Sequence, residues 1–225
     1  MLLPALLTVI MLAITVGLGT WQLQRLAWKT ALLAEIDRGE AMAPIGLLDR
    51  PEAFRKVSVS GTFLPVTARY GAELRPLPTG ALIGSQVLGV LQRPGAAPIL
   101  VDRGWAPGNV VVPSPDGAVQ LVGYIRPPDH ASWTSVSDTP AQRLFYTLDP
   151  LVIGNVLGQP DVAPYTLVVL GPAAPGIYPD PAATLPRPPN DHLTYAITWF
   201  GLAAALLAVF AVYVRQALRE RRVQA

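Results

Sequence analysis

Two stretches without a charged side chain, residues 2–24 and 193–214, stand at the two ends of a 225-residue chain. As helices rising about 1.5 Å per residue, either is long enough to cross a hydrocarbon core of roughly 30 Å. Helices that are apolar all round do not pack about a small shared core; they need lipid or deep burial. The intervening residues 25–192 are of ordinary soluble composition, with 13 Lys+Arg against 14 Asp+Glu. The expectation is a membrane α+β protein, two transmembrane helices flanking a predominantly antiparallel β extracytoplasmic domain. Its parts are span 1 over residues 1–24, the β-rich domain over 25–192, span 2 over 193–214 and a basic tail over 215–225.

The charge excess sits in that tail. Arg215, Arg219, Arg221 and Arg222 face the single Glu220 directly after span 2, which reads as a cytoplasmic flank under the positive-inside rule. Two spans then put both termini in the cytoplasm and the middle domain outside. Arg25, Lys29 and Arg38 follow span 1 on the external side, but a domain of this length translocates largely regardless of its charge. The first span lacks a basic leading region and a small-residue cleavage site, so it reads as retained. No Arg-rich, Ser-rich presequence precedes it, which points to a bacterial plasma membrane, with the middle domain periplasmic.

Trp21, Arg25, Trp28 and Leu32 recur at helical spacing and Gly39 offers a stop, so the first helix is expected to continue beyond its span. Candidate strands follow at 55–63, 85–92, 99–103, 119–125, 144–148 and 165–170, punctuated by Gly and Pro. Residues 151–157, after Asp149-Pro150, suit a short helix. Pro172, Pro175, Pro179, Pro181, Pro186, Pro188 and Pro189 make 171–190 an extended connector back to the membrane. The domain before it reads as a curled or barrel-like sheet.

The absence of cysteine removes disulfide scaffolds, thiolate metal sites and thiol nucleophiles. No hydrolase elbow, zinc-helix motif or phosphate-cradling glycine loop is present, and the expectation is a protein that is not an enzyme. His130, in Pro127-Pro128-Asp129-His130, reads as a solvated loop histidine rather than a base oriented by Asp129. Asp102, Arg103 and Asp149, at or just beyond strand ends, read as turn caps and edge ion pairs rather than catalytic groups. With a net-negative domain and scattered basic residues, no nucleic-acid partner is expected.

His192 is better placed. It opens span 2, and His192, Tyr195 or Ala196, and Trp199 share a helix face. At the end of span 1, Trp21, Arg25 and Trp28 share another. If the two faces meet, they enclose an apolar, aromatic site with one imidazole and one guanidinium. That set suits a haem, which takes an axial nitrogen, a flat apolar slot and cations near its propionates. The same residues also suit an aromatic belt and an ordinary helix start at Asn190-Asp191-His192.

Several motifs in order resemble one family: Leu18-Gly19-Thr20-Trp21-Gln22-Leu23-Gln24-Arg25, Val57 to Phe63, and Leu100-Val101-Asp102-Arg103-Gly104-Trp105-Ala106-Pro107. Val122-Gly123-Tyr124-Ile125-Arg126, Phe145-Tyr146-Thr147-Leu148-Asp149-Pro150 and Asn190 to Phe200 complete the set. Together they resemble the surfeit locus protein 1 family of cytochrome c oxidase assembly factors. The resemblance implies a membrane-anchored, non-catalytic factor that binds haem a and assists its insertion into oxidase subunit I. It maps the axial ligand of the haem iron onto His192 and the first-span motif onto Trp21, Gln22 and Arg25. Tyr195 and Trp199 complete the expected haem-binding set. Partners implied are subunit I, haem a synthase and the lipid bilayer. The alternative is a haem-free scaffold docking on subunit I or the synthase, with Arg103, Gly104 and Trp105 as a docking turn. The sequence departs from the family at Asn190-Asp191, where two asparagines are expected.

Overall fold

In a computed structural model, which describes residues 2–77, 80–172, 174 and 176–223, the first 40 described residues form one helix, α1 (Leu2–Ala41). Met1, Pro175 of the connector and the last two residues of the basic tail lie outside the described residues. The chain divides into two compact units. One joins Met1–Glu35 to Arg187–Ala225, and the other is Ile36–Pro186.

In the helical unit, α1 is joined by α3 (His192–Val223). Both are long and apolar enough to cross a membrane. Their hydroxyls are hidden from apolar surroundings by local bonding: Thr8, Thr15 and Thr20 donate to the carbonyls of Pro4, Met11 and Val16 at 2.8, 2.9 and 2.9 Å. Burial on α1 follows Thr15, Gly19 and Gln22, and on α3 it follows Ala196 and Ala203. These intervals of three, four and seven residues make a seam, and small residues there let two backbones come close. At Gly19 the space is taken by Phe200, whose ring a Cβ would meet at 2.9 Å. As expected, α1 runs past Gly39, and a Cβ on Gly39 would collide with the Phe54 carbonyl.

The sheet unit contains β1 (Ile45–Gly46), β2 (Lys56–Leu77), β3 (Gly80–Arg93), β4 (Ala96–Pro107), β5 (Ala118–Arg126), β6 (Leu144–Phe145), the short helix α2 (Pro150–Val156) and β7 (Thr166–Val169). Pairings run β2–β3–β4–β7–β5 and return from β5 to β2, a closed ring of five strands. The ring closes because β2 is long enough to serve two neighbours. Its residues 56–62 pair with β5 and its residues 62–77 with β3. Pro65 and Gly71 are accommodated where the β2–β3 register shifts, between Phe63 and Thr67 and between Tyr70 and Glu73. Bulges tolerate a missing donor and, at Gly71, a φ of +70°.

The expectation of a predominantly antiparallel sheet is corrected here: the sheet is mixed. β2–β3, β3–β4, β2–β5 and β5–β7 are antiparallel, but β1–β2, β2–β6 and β4–β7 are parallel. Parallel neighbours need a long connection, and the chain provides one between β4 and β7 that includes α2. One core cluster draws on all five ring strands, including Val57, Phe63, Leu91, Val101, Ile125 and Leu167, and fills the ring. On the opposite face, Leu88, Val90 and Leu100 pack beneath Phe145, Leu148 and Ile153. α2 starts as its sequence suggests, with Asp149 accepting from the Leu151 and Val152 N–H groups at 2.9 and 3.3 Å and Pro150 in its first turn.

Candidate functional site

The helical unit holds one cross-helix polar pair of note. His192 Nδ1 lies 2.7 Å from Gln22 Oε1. Gln22 is buried on the α1 seam, and His192 is half-buried at the first position of α3. An amide oxygen accepts only, so Nδ1 is the donor, and in the neutral ring the lone pair is then on Nε2, on the other side. An oxygen that accepts from the far ring nitrogen orients metal-ligating histidines in this way. Nearby, Asn190 Nδ2 donates to Thr30 Oγ1 at 3.5 Å, a second tie within the helical unit.

The other expected site residues divide into two groups. Ala196, buried, and Trp199, half-buried, share the seam side of α3 with His192, whereas Tyr195 is 56% exposed. On α1, Trp21 is 46% exposed and Arg25 is exposed. The Arg25 guanidinium lies over the Trp21 and Trp28 rings at 5.6 and 5.7 Å, a cation–π ladder along one helix face. The residue that α1 presents to His192 is therefore Gln22, one position on from Trp21. Its signal in the sequence was an amide inside an uncharged apolar run, which it shares with Gln24, where polar side chains are costly and face a partner.

The remaining candidates are in the sheet unit. His130 is exposed, and Asp149 is the α2 cap described above. Among the described residues no group of three or more His, Asp or Glu side chains is placed to hold a metal ion. Asp102 and Arg103 are not at a strand end, because β4 continues to Pro107. Arg103 donates to the Pro113 carbonyl at 2.9 Å and stacks over Phe63. Asp102 is buried and accepts from the Gly104 N–H at 3.1 Å. Burial raises its pKa to about 6, against the opposing pull of that N–H and of Arg126 and Arg75. On the same face, Tyr124 is pushed up to about 12 by burial. Arg126 bonds both the Tyr70 hydroxyl and Asp129 at 2.9 Å. The Tyr70 hydroxyl in turn donates to Asp129 at 3.0 Å, closing a three-membered polar network.

Trp105 is a buried peg and not a surface docking turn. Its backbone exchanges two hydrogen bonds with Asp180, at 2.8 and 2.7 Å. Its indole N–H donates to the Glu73 carbonyl at 3.3 Å, Arg75 lies over its ring at 5.0 Å, and Tyr178 meets it edge-on. Arg75 also pairs with Asp180 at 3.1 Å. Gly104, at φ +120°, is required here because a Cβ would overlap the Asp180 backbone. The Asp102-Arg103-Gly104-Trp105 run thus clamps the returning proline-rich connector onto the ring.

A helix pair of membrane-crossing length with a glutamine-held histidine in its seam, and a closed strand ring in the intervening chain, define a two-helix class with a single inserted β domain. The profile described as the SURF1 family matches residues 9–204, and the chain belongs to that family. It is similar to Surfeit locus protein 1 of Rattus norvegicus, 30% identical over 219 residues, covering 84% of this chain and 68% of the rat protein. The Xenopus tropicalis protein of the same name is 29% identical over 225 residues, covering 85% and 69%. The SURF1-like protein of Rickettsia conorii is 26% identical over 219 residues, covering 93% and 90%.

Proposed function

We propose that the chain is a membrane-anchored assembly factor for cytochrome c oxidase. In this reading it binds haem a as cargo through His192 and assists its insertion into subunit I. The observation that carries this reading is the 2.7 Å contact between His192 Nδ1 and Gln22 Oε1. It orients the imidazole and, in the neutral ring, leaves Nε2 as the lone-pair nitrogen that ligates iron. Trp199, on the same side of α3, supplies apolar surface for a flat macrocycle, and Arg25, held between Trp21 and Trp28, supplies a cation for a propionate. Tyr195 adds an amphipathic ring at the same level. The role proposed for these groups is carriage of the haem.

The basic flank of α3, with Arg215 and Arg219, supports cytoplasmic termini and a periplasmic sheet unit in a bacterial plasma membrane. Subunit I, haem a synthase and the bilayer are the partners. The test is the absorption spectrum of detergent-purified protein from cells that make haem a. A haem spectrum is expected from the native chain and its loss or shift from His192→Ala. A spectrum and stoichiometry unchanged by that substitution remove the ligand assignment. A colourless protein still associated with oxidase subunits replaces the carrier with a haem-free scaffold.

A further inference from the structure

A cavity of about 230 Å³ lies in the sheet unit where residues 47–55 cross from β1 to β2. Ile45 and Val57, register partners across the parallel β1–β2 pair, form its wall with Leu48. Its charged lining is Arg50, Glu52 and Arg55. Arg55 is fixed at the backbone: Phe54 N–H donates to the Ile125 carbonyl at 2.8 Å and Ile125 N–H donates to the Arg55 carbonyl at 3.1 Å. Between them Phe54 adopts φ +59°, a left-handed conformation that a Cβ disfavours and that persists only where the surroundings dictate it, often beside ligands. One guanidinium nitrogen of Arg55, Nη1, is shut off from solvent and meets no acceptor among the described residues. The Arg50 and Arg55 side chains both line the cavity, and their guanidinium groups give an anion seated there charge-assisted donors.

We propose that this cavity binds a small amphiphilic carboxylate, its head on Arg55 and Arg50 and its hydrocarbon body against Ile45, Leu48 and Val57. A planar carboxylate matches the guanidinium fork. Glu52 leaves one net positive charge among the three lining charges, which suits a monoanion and disfavours a dianion. The volume is below the range of drug-sized pockets. It corresponds to about eight water-sized units at roughly 30 Å³ each, enough for a short alkyl acid. This site is independent of the haem reading.

The test is titration of the purified full-length protein in detergent with hexanoate, followed by ligand-observed NMR, with hexanol and dibutyl phosphate as comparators. Saturable hexanoate binding is expected, with hexanol weaker by about tenfold or more, the worth of a charge-assisted hydrogen bond. Arg55→Gln should lose at least that factor. Arg50→Gln, a change at an exposed residue that leaves folding intact, should weaken binding as well. His192→Ala should leave it unchanged, so failure here and failure of the haem assignment are separable. Equal binding of hexanol and hexanoate, tighter binding of dibutyl phosphate, no saturable binding, or indifference to both arginine substitutions overturns the proposal.

Discussion

Gln22 and His192 are 170 positions apart in the chain and 2.7 Å apart in space. If the glutamine oxygen sets the tautomer and angle of the imidazole, Gln22→Leu should leave His192 in place yet loosen it. A loss of haem affinity of about 10- to 100-fold, the usual effect of removing the hydrogen-bond partner of a ligating histidine, is expected. Gln22→Glu, which keeps an acceptor, should retain more of it. Absorbance titration of apo-protein with haem measures both; equal affinity in all three proteins refutes the positioning role.

The seam also makes a packing prediction. Gly19→Val places a Cβ against the Phe200 ring and should destabilise the helix pair by about 1–3 kcal/mol, the ordinary cost of overpacking. Phe200→Ala in the same chain should recover most of it. Thermal melting of the detergent-solubilised single and double variants gives the coupling, and additive losses count against direct contact.

Asp102 provides a pH dependence with a defined sign. Its carboxyl is raised from 3.8 to about 6 in the folded protein. An acid whose folded pKa is raised contributes stability that is fully present below the unfolded pKa and lost as pH climbs through the folded one. Between pH 4 and pH 7 this group alone therefore costs the fold about 2 kcal/mol. Asp102→Asn keeps an acceptor for the Gly104 N–H and removes the titration. Its stability relative to the native chain should rise across that window, as followed by tryptophan fluorescence during thermal unfolding. A difference independent of pH would show that Asp102 does not titrate there.

Because the chain has no cysteine, single introduced thiols report topology without background. Trp133→Cys, at a residue 96% exposed in the sheet unit, should label with a membrane-impermeant maleimide in intact cells with a permeable outer membrane. Gln216→Cys, exposed near the end of α3, should label only after lysis. The reverse pattern inverts the proposed orientation.

Apolar runs and strand alternation were legible because periodicity is local. The spans, the continuation of α1 to Gly39, most strands of the ring and the cap at Asp149 all follow from neighbours within one or two turns. The second half of β2 was not legible, since Pro65, Gly71 and Pro76 read as breakers, and only the register shifts against β3 make room for the first two. The parallel pairings of β1, β6 and β7 depend on where long connections return, which no short window contains. At the helix seam, aromatic spacing drew attention to Trp21, Arg25 and Tyr195. The contact that fixes His192 comes from Gln22, chosen by the rotation of one helix against another. The orphaned Arg55 nitrogen was invisible for the same reason, since lack of an acceptor is a property of the folded surroundings.

Gly104→Ala and Trp105→Ala should be among the most damaging changes in the sheet unit. The first forces a side chain into the Asp180 backbone at φ +120°, and the second removes a fully buried indole, worth about 3–5 kcal/mol. Both should release the connector, which limited proteolysis would detect as new cleavage near residues 176–182. A connector as resistant as in the native chain would show that its hold lies elsewhere.

One residue, Trp105, gathers contributions from Glu73, Arg75, Tyr178 and Asp180, and a Cβ on Gly84 would meet its ring as well as the Ala106 carbonyl. Inherited or selected lesions scattered along the linear map, at positions 73–75, 84, 104–105 and 178–180, should therefore behave as alleles of a single defect. They should share a temperature-sensitive loss of protein abundance, and suppressors of one should suppress the others.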